Sequence, residues 1–379
     1  MLAENVFDED EILKGILDWA SVESPTYHTD GVNQMMDLAQ GSLEDLGAEI
    51  ERLPGRQGYG DVVIGRLANA DGNTGPGILV MSHLDTVHVL GTLDSTLPIR
   101  REGDKAFGPG VLDMKGGARL GLEAMAALQR SGVQTKLPVT YLFTSDEEVG
   151  SPSTRERIEA EAKKHDYILV PEPLRAWGDL VTGRHAIQRF FVHTIGKPSH
   201  AGATKAQGRS AIARMADLIT RIEAMTDYER GITYSVGTVK GGIFVNVVAI
   251  RCTAEVLCVA PSDELLTELR SSMQALAGEE DGVRIEVEQS VGRPIAPEHD
   301  KTMALFEKAQ ALGKEIGLEF GHCKSGGGSD GNFTGALGLA TLDGLGVGGV
   351  GAHTFSEHLL VSSLVPRTRL LAGLLETLD

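Results

Sequence analysis

No apolar stretch in this chain approaches the roughly 18 consecutive residues that a membrane span needs, so it reads as neither membrane-spanning nor membrane-anchored. Cysteine is scarce: Cys252, Cys258 and Cys323 are the only three in 379 residues. Three thiols cannot all pair within the chain, and their spacing matches no structural zinc motif; a disulfide-framed fold is excluded, and reduced thiols in a cytoplasmic compartment are expected. Basic residues are in deficit, with 35 Lys and Arg against 53 Asp and Glu and a net charge of -18. Repulsion of that size disfavours nucleic acid and anionic membranes as partners. Tandem repeats are missing too, and SGGGSDGN and GLGVGGVG are glycine-rich loops too short to be linkers. The first residues, MLAENVFDEDEILKGILDWASV, are acidic and amphipathic, without the basic start and apolar stretch of a secretory leader.

What remains is an ordinary soluble composition, 41% hydrophobic and 23% charged, in a chain longer than one hydrophobic core usually serves. Helical apolar spacing runs from Glu11 to Val22, Val32 to Leu46 and Ala118 to Gln129. Three short apolar runs, GILVMSHLDTV, VTYLFTSDEE and YILVPEP, look like buried parallel strands, and sheets of that kind carry their sites beyond the carboxyl ends of the strands. From residue 184 the style changes to strand, helix, strand, strand, helix, strand, the order of a ferredoxin-like split unit, with Ser262 a plausible N-cap. Helical patterns resume at Thr302 to Ile316 and Leu364 to Leu378. The expected organisation is a catalytic domain in two parts, residues 1–182 and 294–379, interrupted by an inserted α+β domain at 183–293. The fold class is α/β.

Each apolar run ends in candidate ligands: His83 and Asp85 in MSHLDTV, Glu147 and Glu148 in TSDEEVG, Glu172 in VPEP. Asp113 lies in GPGVLDMKGG and His353 in GAHTFSEH. Imidazole and carboxylate suit a borderline dication such as zinc. Two ions sharing one carboxylate need five protein ligands, and the chain offers them: Asp113 as the bridge, His83 and Glu172 on one ion, Glu148 and His353 on the other. Such a pair acidifies a bridging water to hydroxide and polarises a carbonyl. Glu147, next to a ligand, is placed for general base and acid work, and Asp85, two residues after His83 and on the same side if the strand continues, to orient it from behind. Any one of these segments alone would more often be a solvated strand end; the set together decides the matter.

The segments SHLDTV, GPGVLDMKGG, TSDEEVGS, PEP, SHAGA, GGGSDG and AHTFSEH, in that order, resemble the dinuclear zinc metallopeptidase family of bacterial glutamate carboxypeptidase, acetylornithine deacetylase and succinyl-diaminopimelate desuccinylase. The resemblance implies an aminopeptidase-like mixed-sheet catalytic domain holding two zinc ions, with cobalt or manganese as substitutes. It implies that the inserted domain is a lid and homodimerisation surface, that the Asp113-Met114 peptide is cis, and that His200 donates to the oxyanion. It further implies a small amide substrate bearing a carboxylate, bound by Asn246, Arg293 and the backbone of Gly327, Gly328 and Ser329. One departure stands out: where relatives carry an arginine on the third lid strand, this chain reads Glu255, Val256, Leu257. Glutamate carboxypeptidase-like hydrolysis is the leading expectation. An N-acyl amino acid deacylase or a non-peptide amidohydrolase is the alternative that Leu257 permits, and a non-catalytic metal-binding protein is the alternative outside enzymes.

Overall fold

A computed structural model of the chain describes residues 1–73, 76–175 and 178–379. Two compact units are present: Met1–Gly183, Ala296–Lys324 and Ser329–Asp379 form the first, and Arg184–Ile295 with Ser325–Gly328 the second.

The first unit is built on an eight-stranded mixed sheet. At its centre Ile78–His83 lies between Val139–Thr144 and Tyr167–Val170, parallel to both. These are the three apolar runs of the sequence, buried along almost their whole length, as strands covered on both faces must be. Ala340–Asp343 extends the parallel set beyond Tyr167–Val170, while Glu49–Leu53 and Val62–Leu67 add antiparallel strands on the other side. Because the central strands are parallel, their carboxyl ends meet at one edge, and His83, the Glu147–Val149 turn and Glu172 all emerge there.

Helices Glu9–Ala20, Thr29–Asp45 and Lys115–Arg130 cover the sheet, followed late in the chain by Asp300–Glu315 and Leu364–Thr377. Their apolar faces join one core that includes Ile16, Met35, Leu43, Leu128, Tyr141 and Leu374. The first helix starts at Asp8, whose carboxylate accepts from the amides of Asp10 and Glu11, two donors that the helix itself leaves unsatisfied. A glycine decides how closely Lys115–Arg130 approaches the sheet: a Cβ on Gly117 would lie 1.7 Å from the carbonyl oxygen of Pro171. Only hydrogen in that position lets the helix that follows Asp113 touch the segment that carries Glu172.

A smaller four-stranded sheet, absent from the sequence reading, pairs Arg100–Glu102 and Lys105–Phe107 with Gly349–Val350 and His358–Leu360. Its strands are two or three residues long, too short for any hydrophobic period to register. Residues 351–357 form the loop of its last hairpin and carry His353, which has a positive φ of 63°.

The second unit has a five-stranded antiparallel sheet. Ala186–Ile195, Thr233–Gly241, Arg251–Ala260 and Val283–Arg293 alternate with helices Ala211–Glu223 and Asp263–Gln274 in the ferredoxin-like order, and Gly278–Glu280 adds a short edge. Along Ala186–Ile195 the period of two is plain. Phe190, Val192 and Thr194 are buried beneath the helices, and Arg189, Phe191 and His193 between them are half-buried on the other face. Ser262 caps the second helix by accepting from Leu265. Cys252 and Cys258 are buried in this unit, and all three cysteines are free thiols.

Candidate metal centre

The edge where the central strands end is crowded with acids and imidazoles. His83 Nε2 lies 3.3 Å from Asp113 Oδ1, and His353 Nε2 lies 3.2 Å from Asp113 Oδ2 and 3.1 Å from Glu148 Oε2. One carboxylate thus presents a separate oxygen to each of two imidazoles. Glu147 and Glu172 each place an oxygen 3.9 Å from His83 Nε2. Ligand atoms of His83, Asp113 and Glu148 all lie within 4.8 Å of one another. The Asp113-Met114 peptide is cis.

Electrostatics marks the cluster as a cation site. Burial pushes the Glu148 carboxyl up to about 8, with the Asp113 charge adding to it against the pull of the two histidines. Glu172 is pushed well above its ordinary value by burial and then by Asp113. Burial also works to raise Asp113, but hydrogen bonds from His353 and His83 overcome it and hold that carboxyl far below its usual range. Hydrogen bonds to Asp113 and Glu148 raise His353 to about 11, and His83 is raised despite the opposing effect of burial. Buried carboxylates crowded at this range can be charged together only with compensating positive charge. The donor set, two imidazoles with three to four carboxylates, fits divalent ions of the zinc, cobalt or manganese kind.

Asp85 differs in detail from its expected role. The nearest acceptor to His83 Nδ1 is the Asp85 backbone carbonyl at 2.9 Å, while the side-chain oxygen stands at 3.4 Å. Its fully buried carboxylate accepts instead from the amides of Glu147 and Glu148 at 3.1 and 3.2 Å and from the Thr26 hydroxyl at 2.7 Å. The strand has ended at His83, so the alternation that would aim both side chains alike no longer holds. Asp85 therefore fixes the acidic pair, and its backbone fixes the imidazole.

In the second unit His200 and Asn246 share a loop cluster, since Val247 pairs with His200 and the Ala201 amide donates to the Asn246 carbonyl. His200 is exposed, and its Nδ1 accepts from the amides of Gly202 and Ala203 at 3.2 and 3.1 Å. That arrangement puts the ring proton on Nε2, leaving Nε2–H as a donor. The buried Arg293 side chain lies against Gly328, and Arg184 donates to the Gly327 carbonyl. Ser329, expected among the substrate contacts, turns inward within the first unit: it is fully buried, its amide donates to Asn332 and its hydroxyl to Asp343. Leu257 stands opposite Arg189 in register, and both line a shallow pocket with Phe191, Thr238, Glu255 and Ser290.

Two polar groups at the metal-centre edge escaped sequence reasoning. Lys115 is completely buried, its amine donates to the Val22 carbonyl, and burial pushes it down to about 7. Glu357 is also buried and pairs with His88. A lysine or glutamate inside a glycine-rich loop carries no signal that it will turn inward.

A mixed sheet whose parallel strands deliver histidine and carboxylate to one edge defines a metal-dependent hydrolase. Residues 79–377 match the model of peptidase family M20/M25/M40, and the chain belongs to that family. It is 30% identical to Carboxypeptidase G2 of Pseudomonas sp. (strain RS-16) over 373 residues, 97% of this chain and 88% of that one. The fold resembles that of the di-peptidase Dug1p from Saccharomyces cerevisiae, with a TM-score of 0.78, 16% identity and coverage of 97% and 95% of the two chains. It also resembles the metallo-carboxypeptidase Sso-CP2 from Sulfolobus solfataricus, with a TM-score of 0.73, 17% identity and coverage of 97% and 99%. Family membership makes the chain a hydrolytic metallopeptidase that uses divalent metal. Among the described residues no helix is long and apolar enough to cross a membrane.

Proposed function

We propose that the protein hydrolyses an amide bond beside a free carboxylate in a small N-acyl amino acid, in the manner of a glutamate carboxypeptidase. The observation that carries this reading is Asp113, whose two oxygens face two different histidines at 3.3 and 3.2 Å. Asp113 would bridge two zinc ions, His83 and Glu172 completing one ligand set and Glu148 and His353 the other. Ions held there would acidify water and polarise the amide carbonyl.

The chain's own groups do the rest. Glu147, its backbone held by Asp85, accepts the proton of the attacking water and returns it to the leaving nitrogen. His200 Nε2–H donates to the oxyanion that forms. Asn246, Arg293 and the Gly328 amide receive the substrate carboxylate, the Gly327 amide being held by the Ser325 hydroxyl at 3.1 Å. Arg189 supplies a positive charge one strand over from Leu257, at the position where relatives carry arginine. The inserted unit, residues 183–293, serves as lid and homodimer surface, and the enzyme works in the cytoplasm.

The test is a panel of N-acyl glutamates set against acetylated and aromatic-acyl amino acids. Turnover of the glutamates with zinc, abolished by chelation, is expected. Activity confined to acyl amino acids without a second carboxylate would favour the deacylase reading that Leu257 supports. Failure to cleave any carboxylate-bearing amide would refute both.

A further inference from the structure

We infer that Glu357, held by His88, is a positioning residue that sets the spacing of the metal ligands His83, Asp113 and His353. The inference rests on the metal-centre reading above but not on the choice of substrate. Glu357 is 1% exposed, and both its oxygens are used. Oε1 accepts from the backbone amides of Leu112 and Asp113 at 2.9 and 3.1 Å. Oε2 accepts from the Gly110 amide at 3.2 Å and meets His88 Nε2 at 2.5 Å.

Those partners lie on two segments and Glu357 itself on a third, and each of the three carries a ligand. Asp113 belongs to the loop whose amides converge on the carboxylate. His353 is four residues before Glu357 in the same hairpin loop, which is folded by the amides of Thr354 and Glu357 donating to Gly351 and Thr354. His88 follows His83 and Asp85 on the loop leaving the central strand, where Thr86 donates to the Ser24 carbonyl. One buried carboxylate thus ties together three stretches of the chain, with His88 and Glu357 269 residues apart.

The tie matters most for His353. Its side chain is 55% exposed, so surrounding atoms do little to place it, and its polar contacts are with Asp113 and Glu148 themselves. Strand pairing of His358–Leu360 with Lys105–Phe107 and a tilted contact of the His358 and Phe107 rings at 4.9 Å anchor the base of the hairpin, and Glu357 ties its loop to the Asp113 loop. Removing the carboxylate leaves buried amides of Gly110, Leu112 and Asp113 without their acceptor and frees the hairpin to drift. Groups that orient metal ligands from behind typically change metal affinity by about 10- to 100-fold.

The experiment measures zinc binding to metal-stripped protein by competition with a chromophoric chelator, for the wild type and for Glu357→Gln, Glu357→Ala, His88→Leu and His88→Gln. Circular dichroism and thermal unfolding of the metal-stripped chains check that each is folded. Expected are two ions on the wild type, and about 10- to 100-fold weaker binding of one of them in Glu357→Gln. His88→Leu should show the same loss and His88→Gln, which keeps a donor, should recover most of it. If Glu357→Ala fails to fold, the two His88 variants carry the test. Wild-type affinity for both ions in folded Glu357→Gln or His88→Leu would overturn the inference while leaving the metal centre intact. A wild type that binds no zinc would overturn the metal-centre reading itself.

Discussion

Gly117→Ala adds one methyl group at the point where the helix after Asp113 meets the segment before Glu172. The added carbon would lie 1.7 Å from the Pro171 carbonyl oxygen, whereas ordinary contact begins at 3.4 Å, so one side must retreat by roughly 1.7 Å. Neither can give cheaply. Pro171 continues a central strand that has a neighbour on each side, and the helix is anchored by Leu120, Ala124 and Leu128 in the core. Overpacking of this kind costs about 1–3 kcal/mol, against a gain of up to about 1 kcal/mol from the helix preference of alanine. The larger effect falls on the site, because Asp113 and Glu172 lie on opposite sides of the contact, and a shift of about 1 Å in a catalytic arrangement can cost a hundredfold in rate. The assay is urea unfolding of the metal-stripped chain together with zinc affinity and kcat/KM. Gly121→Ala, one turn along the same helix, is the control: its added carbon meets Val80 and Tyr141 at 3.4 and 3.5 Å, and stability and activity should be unchanged or slightly improved. If Gly117→Ala binds zinc and turns over as the wild type does, Gly117 does not set the distance between the two ligands.

Three further outcomes are expected. Glu147→Gln should keep both ions by elemental analysis and lose about 10²- to 10⁴-fold in kcat; loss of metal would instead make Glu147 a ligand. His200→Ala should lower kcat by about a hundredfold or more without changing zinc content, and an unchanged kcat would remove it from the oxyanion. Glu161 is not one of the proposed ligands and lies between Arg66, Lys164 and His165. Burial works to raise its carboxyl, but hydrogen bonds from His165, Arg66 and Lys164 win and hold it well below its usual range. A depressed folded-state value adds stability above the unfolded value of about 4.3 and loses it as pH falls further. Glu161→Gln should therefore lower the Tm of metal-stripped protein at pH 7 and converge with the wild type in acid; a difference that grows as pH falls would refute this.

The sheet and the acids at its edge were legible because buried parallel strands write themselves as continuous apolar runs, and each run stops where a ligand begins. Helix limits could be read to within a few residues, as with Thr302 to Ile316 against the observed Asp300–Glu315. The inserted unit was expected from the strand, helix, strand, strand, helix, strand order that begins near residue 184. What could not be read depends on where a loop folds back. The hairpin that carries His353 has strands too short to show a pattern, and the inward turn of Ser329, Lys115 and Glu357 is set by partners far away in sequence. Asp85 was placed by extrapolating a strand that had already ended. Gly117 was visible only as one of two glycines after a lysine, and its contact with Pro171 exists only in three dimensions.

Whether Asp113 joins two metal ions is decided by the zinc content of the purified protein beside that of Asp113→Asn, measured by elemental analysis. Two ions per chain are expected in the wild type and neither in the variant. A single ion in the wild type, or an Asp113→Asn protein that still holds two, would contradict this.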